Sequence, residues 1–300
     1  GKNTPILEIV DFLNARAREN QWGFVDFNRP MVAINQWEQA EDSMYTLCGK
    51  DRIHPSTDGH LVMAYLFLKA QGLAGKPVAD IRIDGAGKKV TRSDNCRVSD
   101  LSVSSDNLTF TYEAKSLPYP IDTSYYDNEK HTQADALSVI PFMDEMNYEG
   151  LSVSGLSDGY YGLTIGGEFI GRFTARELER GINMALLQNT PQYKQAMKIR
   201  QMNEERWLKE RKMREFYWVE YNLMRKTGML WACNEAAVDT LRKYRPHDIF
   251  LQWNGDLWLQ YMHKGIREDC VNEQQDLVNR IYEQNKPIPL RIEIKKFTDL

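Results

Sequence analysis

The segment "LVMAYLFLKAQGL", Leu61 to Leu73, limits the possible folds more than any other part of this 300-residue chain. It is almost wholly apolar, so it reads as a helix packed deeply against other structure, with Gly72 as its stop. What precedes it is modest. "PILEIVDFLNARAREN" sets Ile6, Ile9, Val10 and Leu13 at helical spacing. "GFVDF" reads as a short apolar strand between Gly23 and an Asn28-Arg29-Pro30 loop. One strand and two helices offer too little surface to hide the run, so a further α/β layer is expected on its N-terminal side.

Past Val78 the hydrophobic period changes to two. "DIRIDGAGKKV" holds a glycine-containing turn, and "LTFTYEA" places Leu108, Phe110 and Tyr112 on one face. "LSVSGLSDGYYGLTIGGEFIGRF" supplies further strands and turns. The pattern predicts a small antiparallel, sandwich-like β-domain over residues 77–173. A helical insertion is expected near residues 132–147, broken at Pro141. From residue 174 onward the pattern is helical. Thr174 with Glu177 fits a capping box, and Thr190-Pro191 fits an N-cap followed by a first-turn proline. A long helix then runs to a stop at Gly228, and helical patterns recur over Leu230–Tyr244 and Arg267–Asn285. "PLRIEIKKF" alternates and reads as a final edge strand.

The formal net charge of -4 argues against nucleic acid or an anionic membrane as partner, and no apolar run is long enough to span a bilayer. "GKNTPILEIVDFL" lacks the basic-then-apolar order of a signal peptide, although a periplasmic or secreted setting is expected. Cys48, Cys96, Cys233 and Cys270 form no Cys-x-x-Cys pair, which makes zinc an unattractive reading; two disulfides are possible. No cofactor is expected.

Chemistry concentrates in "CGKDRIHPSTDGH", residues 48–60. A histidine can take a proton from a hydroxyl nucleophile and return it to a leaving group. A carboxylate that fixes its tautomer and stabilises the imidazolium improves it. Asp51 and His54, three residues apart on a loop entering a helix, can make that pair. Pro55 stiffens the loop, and Ser56 or Thr57 can cap the helix. From the spacing alone, a histidine held by a nearby acid without catalysis is the commoner arrangement.

The order "GFVDF", loop, "DRIHP", "GHLVMAYLFL" resembles the last block of the SGNH (GDSL-type) esterase and lipase family. There an Asp-x-x-His-Pro loop leads from the final sheet strand into the last helix of a flavodoxin-like αβα sandwich. The resemblance implies that His54 is the general base, that Asp51 orients it, and that residues 58–71 form the closing helix. "LPYPID" and "IPFMDEMNYEGLSVSGLSDGYYGLTIGG" also look like the appended region of bacterial, Bacteroidetes-type members, a less specific likeness. The family's nucleophile belongs to a Gly-Asp-Ser block that this sequence does not contain. The match covers roughly the first 75 residues. The resemblance therefore implies that residues 1–76 are the C-terminal part of a larger hydrolase domain, and that the chain alone is inactive. The expected whole is an α+β multidomain protein: a remnant of the SGNH domain, the β-domain, and a helical region over 174–300.

Other candidates are weaker. "GLSDG", Gly155 to Gly159, satisfies Gly-x-Ser-x-Gly, but a strand follows it where a nucleophile elbow needs a helix, so a hairpin turn is expected at Ser157. "WNGDLW" puts Leu257 where serine would be required and reads as a loop between helices. His60 fits a hydrogen-bonding or packing role; His131, His247 and His263 stand isolated in the sequence. "KIRQMNEERWLKERKMR" interleaves glutamates with its basic residues, the pattern of a solvated helix with internal ion pairs. The expected function is hydrolysis of a small-molecule or carbohydrate ester by the parent protein. The competing readings are a non-catalytic carbohydrate- or protein-binding module, and an oligomer formed through the incomplete sheet.

Overall fold

The computed structural model describes residues 4–124 and 131–297. The outermost residues of the expected first and last domains, and residues 125–130 of the expected β-domain, lie outside that range. Two compact units divide the chain: Gly1–Lys194 with Pro287–Leu300, and Gln195–Lys286. Of the residues expected in the helical region, 174–194 and 287–300 thus belong to the first unit.

The first unit begins with α1 (Thr4–Asn20), α2 (Asn28–Glu38) and α3 (Thr57–Ala70). Two local expectations need correction. "GFVDF" forms no strand, because among the described residues no segment pairs with its backbone, and an unpaired strand has no ladder to hold it. Asn28-Arg29-Pro30 is the first turn of α2 rather than a loop. Asp26 Oδ1 accepts from the Arg29 amide at 3.1 Å, and Pro30 has no amide to leave orphaned there. The helix α3 ends as its sequence predicts, with Gly72 in the left-handed region at φ 71°. Its buried side packs on the insertion at 132–147: Leu61, Val62 and Tyr65 meet Ala136, Ile140 and Phe142 in one cluster with Leu47. The insertion itself is a 3-10 turn over Gln133–Ser138 and the short α4 (Phe142–Glu145), divided at Pro141.

Two sheets follow. Strands β1 (Ala79–Asp84), β2 (Lys89–Asp94), β3 (Cys96–Val103), β4 (Asn107–Ala114), β5 (Glu149–Ser154), β6 (Tyr160–Ile165), β7 (Glu168–Thr174), β8 (Ile182–Asn183) and β9 (Leu290–Lys296) are arranged as β2-β1-β5-β8 and β3-β4-β9-β6-β7. Ile81, Ile83, Leu151 and Val153 of one sheet share a core with Phe110, Leu163, Ile292 and Ile294 of the other. The expectation of a purely antiparallel domain fails at β1 and β5, which pair in parallel from Ala79↔Glu149 to Asp84↔Ser154. Their connection passes through β2, β3, β4 and the insertion, long enough for the crossover that parallel pairing requires. The final strand is also not at an edge. β9 lies between β4 and β6, where Ile292 and Ile294 are fully buried. Burial of each such side chain contributes roughly 1.5–3 kcal/mol, which draws an alternating apolar strand to the middle of a sheet.

After α5 (Ala175–Arg180), capped as predicted by Thr174 and Glu177, comes α6 (Pro191–Val219). The second unit is helical: most of α6, a π-helical turn over Glu220–Met224, α7 (Glu235–Tyr244), α8 (Ile249–Tyr261) and α9 (Lys264–Gln284). Phe216, Leu223, Leu241, Trp258 and Cys270 belong to its core. Gly228 stops the first helical stretch at φ 74°. "WNGDLW" is not a loop but lies inside α8. Asp248 caps that helix, and Gly255 lets the Arg245 side chain lie close enough to reach Asp256.

Candidate active site

The loop before α3 is tied at its base. Cys48 and Pro55 form an antiparallel bridge, the Gly49 amide donates to the His54 carbonyl at 2.8 Å, and the Ser56 amide donates to the Leu47 carbonyl at 3.0 Å. Gly59 lets the first turn of α3 lie directly on Leu47: a Cβ there would overlap the Leu47 carbonyl oxygen. The loop thus leaves a buried anchor, Leu47, and returns to it within nine residues.

At the loop's tip Asp51 gathers three donors. Its Oδ1 accepts from the amides of Ile53 at 2.9 Å and His54 at 3.1 Å, and its Oδ2 lies 2.5 Å from His54 Nδ1. The His54 hydrogen bond first, then those two amides, lower the Asp51 carboxyl to about 2. Among the described residues nothing bonds His54 Nε2, and the imidazole side chain is 83% exposed against 47% for Asp51. The structure therefore brings together the two residues singled out in the sequence, with the ring held through Nδ1 and its other edge facing solvent.

A second acid–histidine contact escaped the sequence reading. Asp58 is buried at the start of α3, accepting from the Ser56 hydroxyl and from the Gly59 amide at 2.8 Å. His131 Nδ1 approaches its other oxygen at 3.6 Å. The two are far apart in sequence, so no local spacing could reveal them.

The remaining candidates take structural places. Ser157 lies in the connection from β5 to β6, which belong to different sheets, so the expected hairpin is not formed; its hydroxyl receives the Lys296 ammonium at 2.8 Å, and Tyr161 donates to its carbonyl at 2.9 Å. Among the described residues no histidine or carboxylate bonds this hydroxyl; its side-chain partners are Lys296 and Tyr161. His60 and His247 are exposed, and His263 lies against Cys233. The basic stretch of α6 carries its ion pairs at helical offsets: Arg200 with Glu204, Arg211 with Glu215, Arg214 with Glu210. All four cysteines are free, and no group of three metal-ligating side chains occurs among the described residues. No described helix is long and apolar enough to cross a membrane.

The fold and site define a mixed α/β protein with two sheets, a C-terminal helical unit and an exposed, oriented acid–imidazole pair. Residues 197–286 match the family described as the diltiazem deacetylase C-terminal helical domain. Across 99% of its length the chain is 41% identical, with a TM-score of 0.92, to the solved structure of BT4096, a gut microbial diltiazem-metabolizing enzyme. It spans 67% of that enzyme's chain. No curated protein matches the sequence. The chain belongs to the family of this diltiazem-metabolizing enzyme.

Proposed function

We propose that this chain is the C-terminal part of an SGNH-type serine ester hydrolase that removes a small acyl group, acetyl foremost, from an alcohol oxygen of an organic ester. The observation that carries the reading is the 2.5 Å contact between His54 Nδ1 and Asp51 Oδ2, with Nε2 open to solvent. The description of the matching helical domain as that of a deacetylase supports the reaction class. A carbohydrate ester is a narrower choice of substrate within the same class.

The nucleophilic serine belongs, on this reading, to polypeptide outside these 300 residues. In support, this chain does not span the whole of its relative, and the helices beside the site leave large apolar side chains in water. Ile9, Phe12 and Leu13 of α1, Trp37 of α2, Phe67 of α3 and Ile53 in the loop are all exposed, Trp37 by 79%. Exposed apolar area on this scale is what a further layer of the same fold would cover. In the reaction His54 Nε2 takes the serine proton as the hydroxyl oxygen attacks the ester carbonyl. Asp51 stabilises the resulting imidazolium, which then protonates the departing alcohol. Water, deprotonated by the same nitrogen, releases the acid.

The test is turnover of p-nitrophenyl acetate by this chain and by a form extended upstream to include a Gly-Asp-Ser block. Activity is expected only in the extended form, lost on His54→Ala and kept on Ser157→Ala. Equal activity in the two forms, or an active His54→Ala variant, overturns the reading. A non-catalytic binding module has one observation in its favour, the adjoining Trp218, Phe250 and Trp253 rings, tilted and edge-on to one another, with Phe250 and Trp253 exposed. Glycan binding by an extended form that hydrolyses nothing would select it.

A further inference from the structure

The helical unit holds a second nucleophile-and-base pair that the ester chemistry does not use. Cys233 Sγ lies 3.4 Å from His263 Nδ1, and both residues are exposed. The two come from separate segments, each fixed by its own hydrogen bonds. On the Cys233 side, the Trp231 amide donates to the buried Glu220 carboxylate at 2.8 Å. Asn234, the next residue, caps α7 through its Oδ1 at 3.0 Å from the Ala237 amide. On the other side, His263 occupies the N-cap position of α9, while Arg267 grips the Tyr261 and Met262 carbonyls at 2.6 and 2.8 Å. The thiol is thus held beside a ring nitrogen of the N-cap residue of a 21-residue helix. Among the described residues no third His, Cys, Asp or Glu joins the pair to make a metal site. The other cysteines differ: Cys96 and Cys270 are buried, and Cys48 is half-buried.

We infer that Cys233 with His263 is a site of reversible thiolation by low-molecular-weight disulfides. His263 Nδ1 accepts the thiol proton, and the Cys233 thiolate attacks one sulfur of the incoming disulfide. The disulfide S–S bond breaks as the mixed disulfide forms, and the leaving thiolate takes the proton back from the imidazolium. The disulfide is the oxidant; the products are modified protein and one free thiol.

Incubation with glutathione disulfide, followed by intact-mass measurement and peptide mapping, tests the site. One adduct is expected, on Cys233, absent from Cys233→Ser. His263→Asn keeps a polar neighbour but cannot take a proton, and is expected to slow adduct formation at least about tenfold. Absence of an adduct, an adduct on Cys48 instead, or unchanged kinetics in His263→Asn overturns the assignment. Because the readout is thiol modification, it stands or falls independently of ester hydrolysis.

Discussion

Asp51 holds His54 through one carboxylate oxygen while its other oxygen ties down the amide of the same residue. The acid therefore sets both the position of the histidine backbone and the orientation of its ring. On the function proposed above, this double grip is what an orienting acid requires, and it adds little to stability because surface ion pairs are worth little.

Replacing Asp51 should accordingly affect chemistry far more than folding. In an extended, active form, Asp51→Asn is expected to lower kcat by about 10²- to 10⁴-fold with little change in Tm, because the amide can leave the ring in the wrong tautomer. Because the carboxyl stays ionised down to about 2, its own protonation lies below the acid limb of a pH–rate profile measured above pH 4. Steady-state kinetics with thermal melting checks this; a large Tm loss at unchanged kcat would count against an orienting role.

Gly59 makes an opposed pair of forces visible. In an ordinary helix Gly→Ala stabilises by about 1 kcal/mol, but here the new methyl meets the Leu47 carbonyl and Pro55. The clash is with backbone, so Gly59→Ala is expected to destabilise by about 1–3 kcal/mol and to displace the loop bearing His54. Denaturant unfolding gives the sign directly.

Glu149 is a fully buried carboxyl of the sandwich, bonded to Tyr112 Oη at 2.8 Å and to Gln192 Nε2 at 3.1 Å, with its second oxygen unpaired among the described residues. Burial raises it from 4.5 to about 7, against the lowering effect of those two hydrogen bonds. A raised carboxyl pKa means the folded state binds the proton more tightly than the unfolded chain. The contribution is full below pH 4.5 and is lost as the pH rises from there to about 7. Glu149→Gln should thus lose most of the pH dependence of Tm across that window, an effect of at most about 3 kcal/mol. Melting curves at pH 4.5 and 8 for both proteins decide it.

The same apolar side chains that support a larger domain should govern solution behaviour. The 300-residue chain is expected to self-associate through the face bearing Phe12 and Trp37, and Phe12→Ser with Trp37→Ser should reduce this, read by concentration-dependent light scattering. A monodisperse monomer with the unaltered face would refute it.

Much of this protein is written locally. Helix ends at Gly72 and Gly228, the capping box of Thr174 and Glu177, the break at Pro141, the alternating faces of β4 and β6, and the Asp51–His54 pair depend on neighbours within a few residues, so spacing reveals them. Tertiary structure decided what depends on distant partners. "GFVDF" has strand character but finds no ladder among the described residues, β9 is central because β4 and β6 flank it, and β1 joins β5 in parallel across a long connection. The contacts of Asp58 with His131 and of Cys233 with His263 arise in the same way, since only the folded chain brings together side chains that the sequence keeps apart.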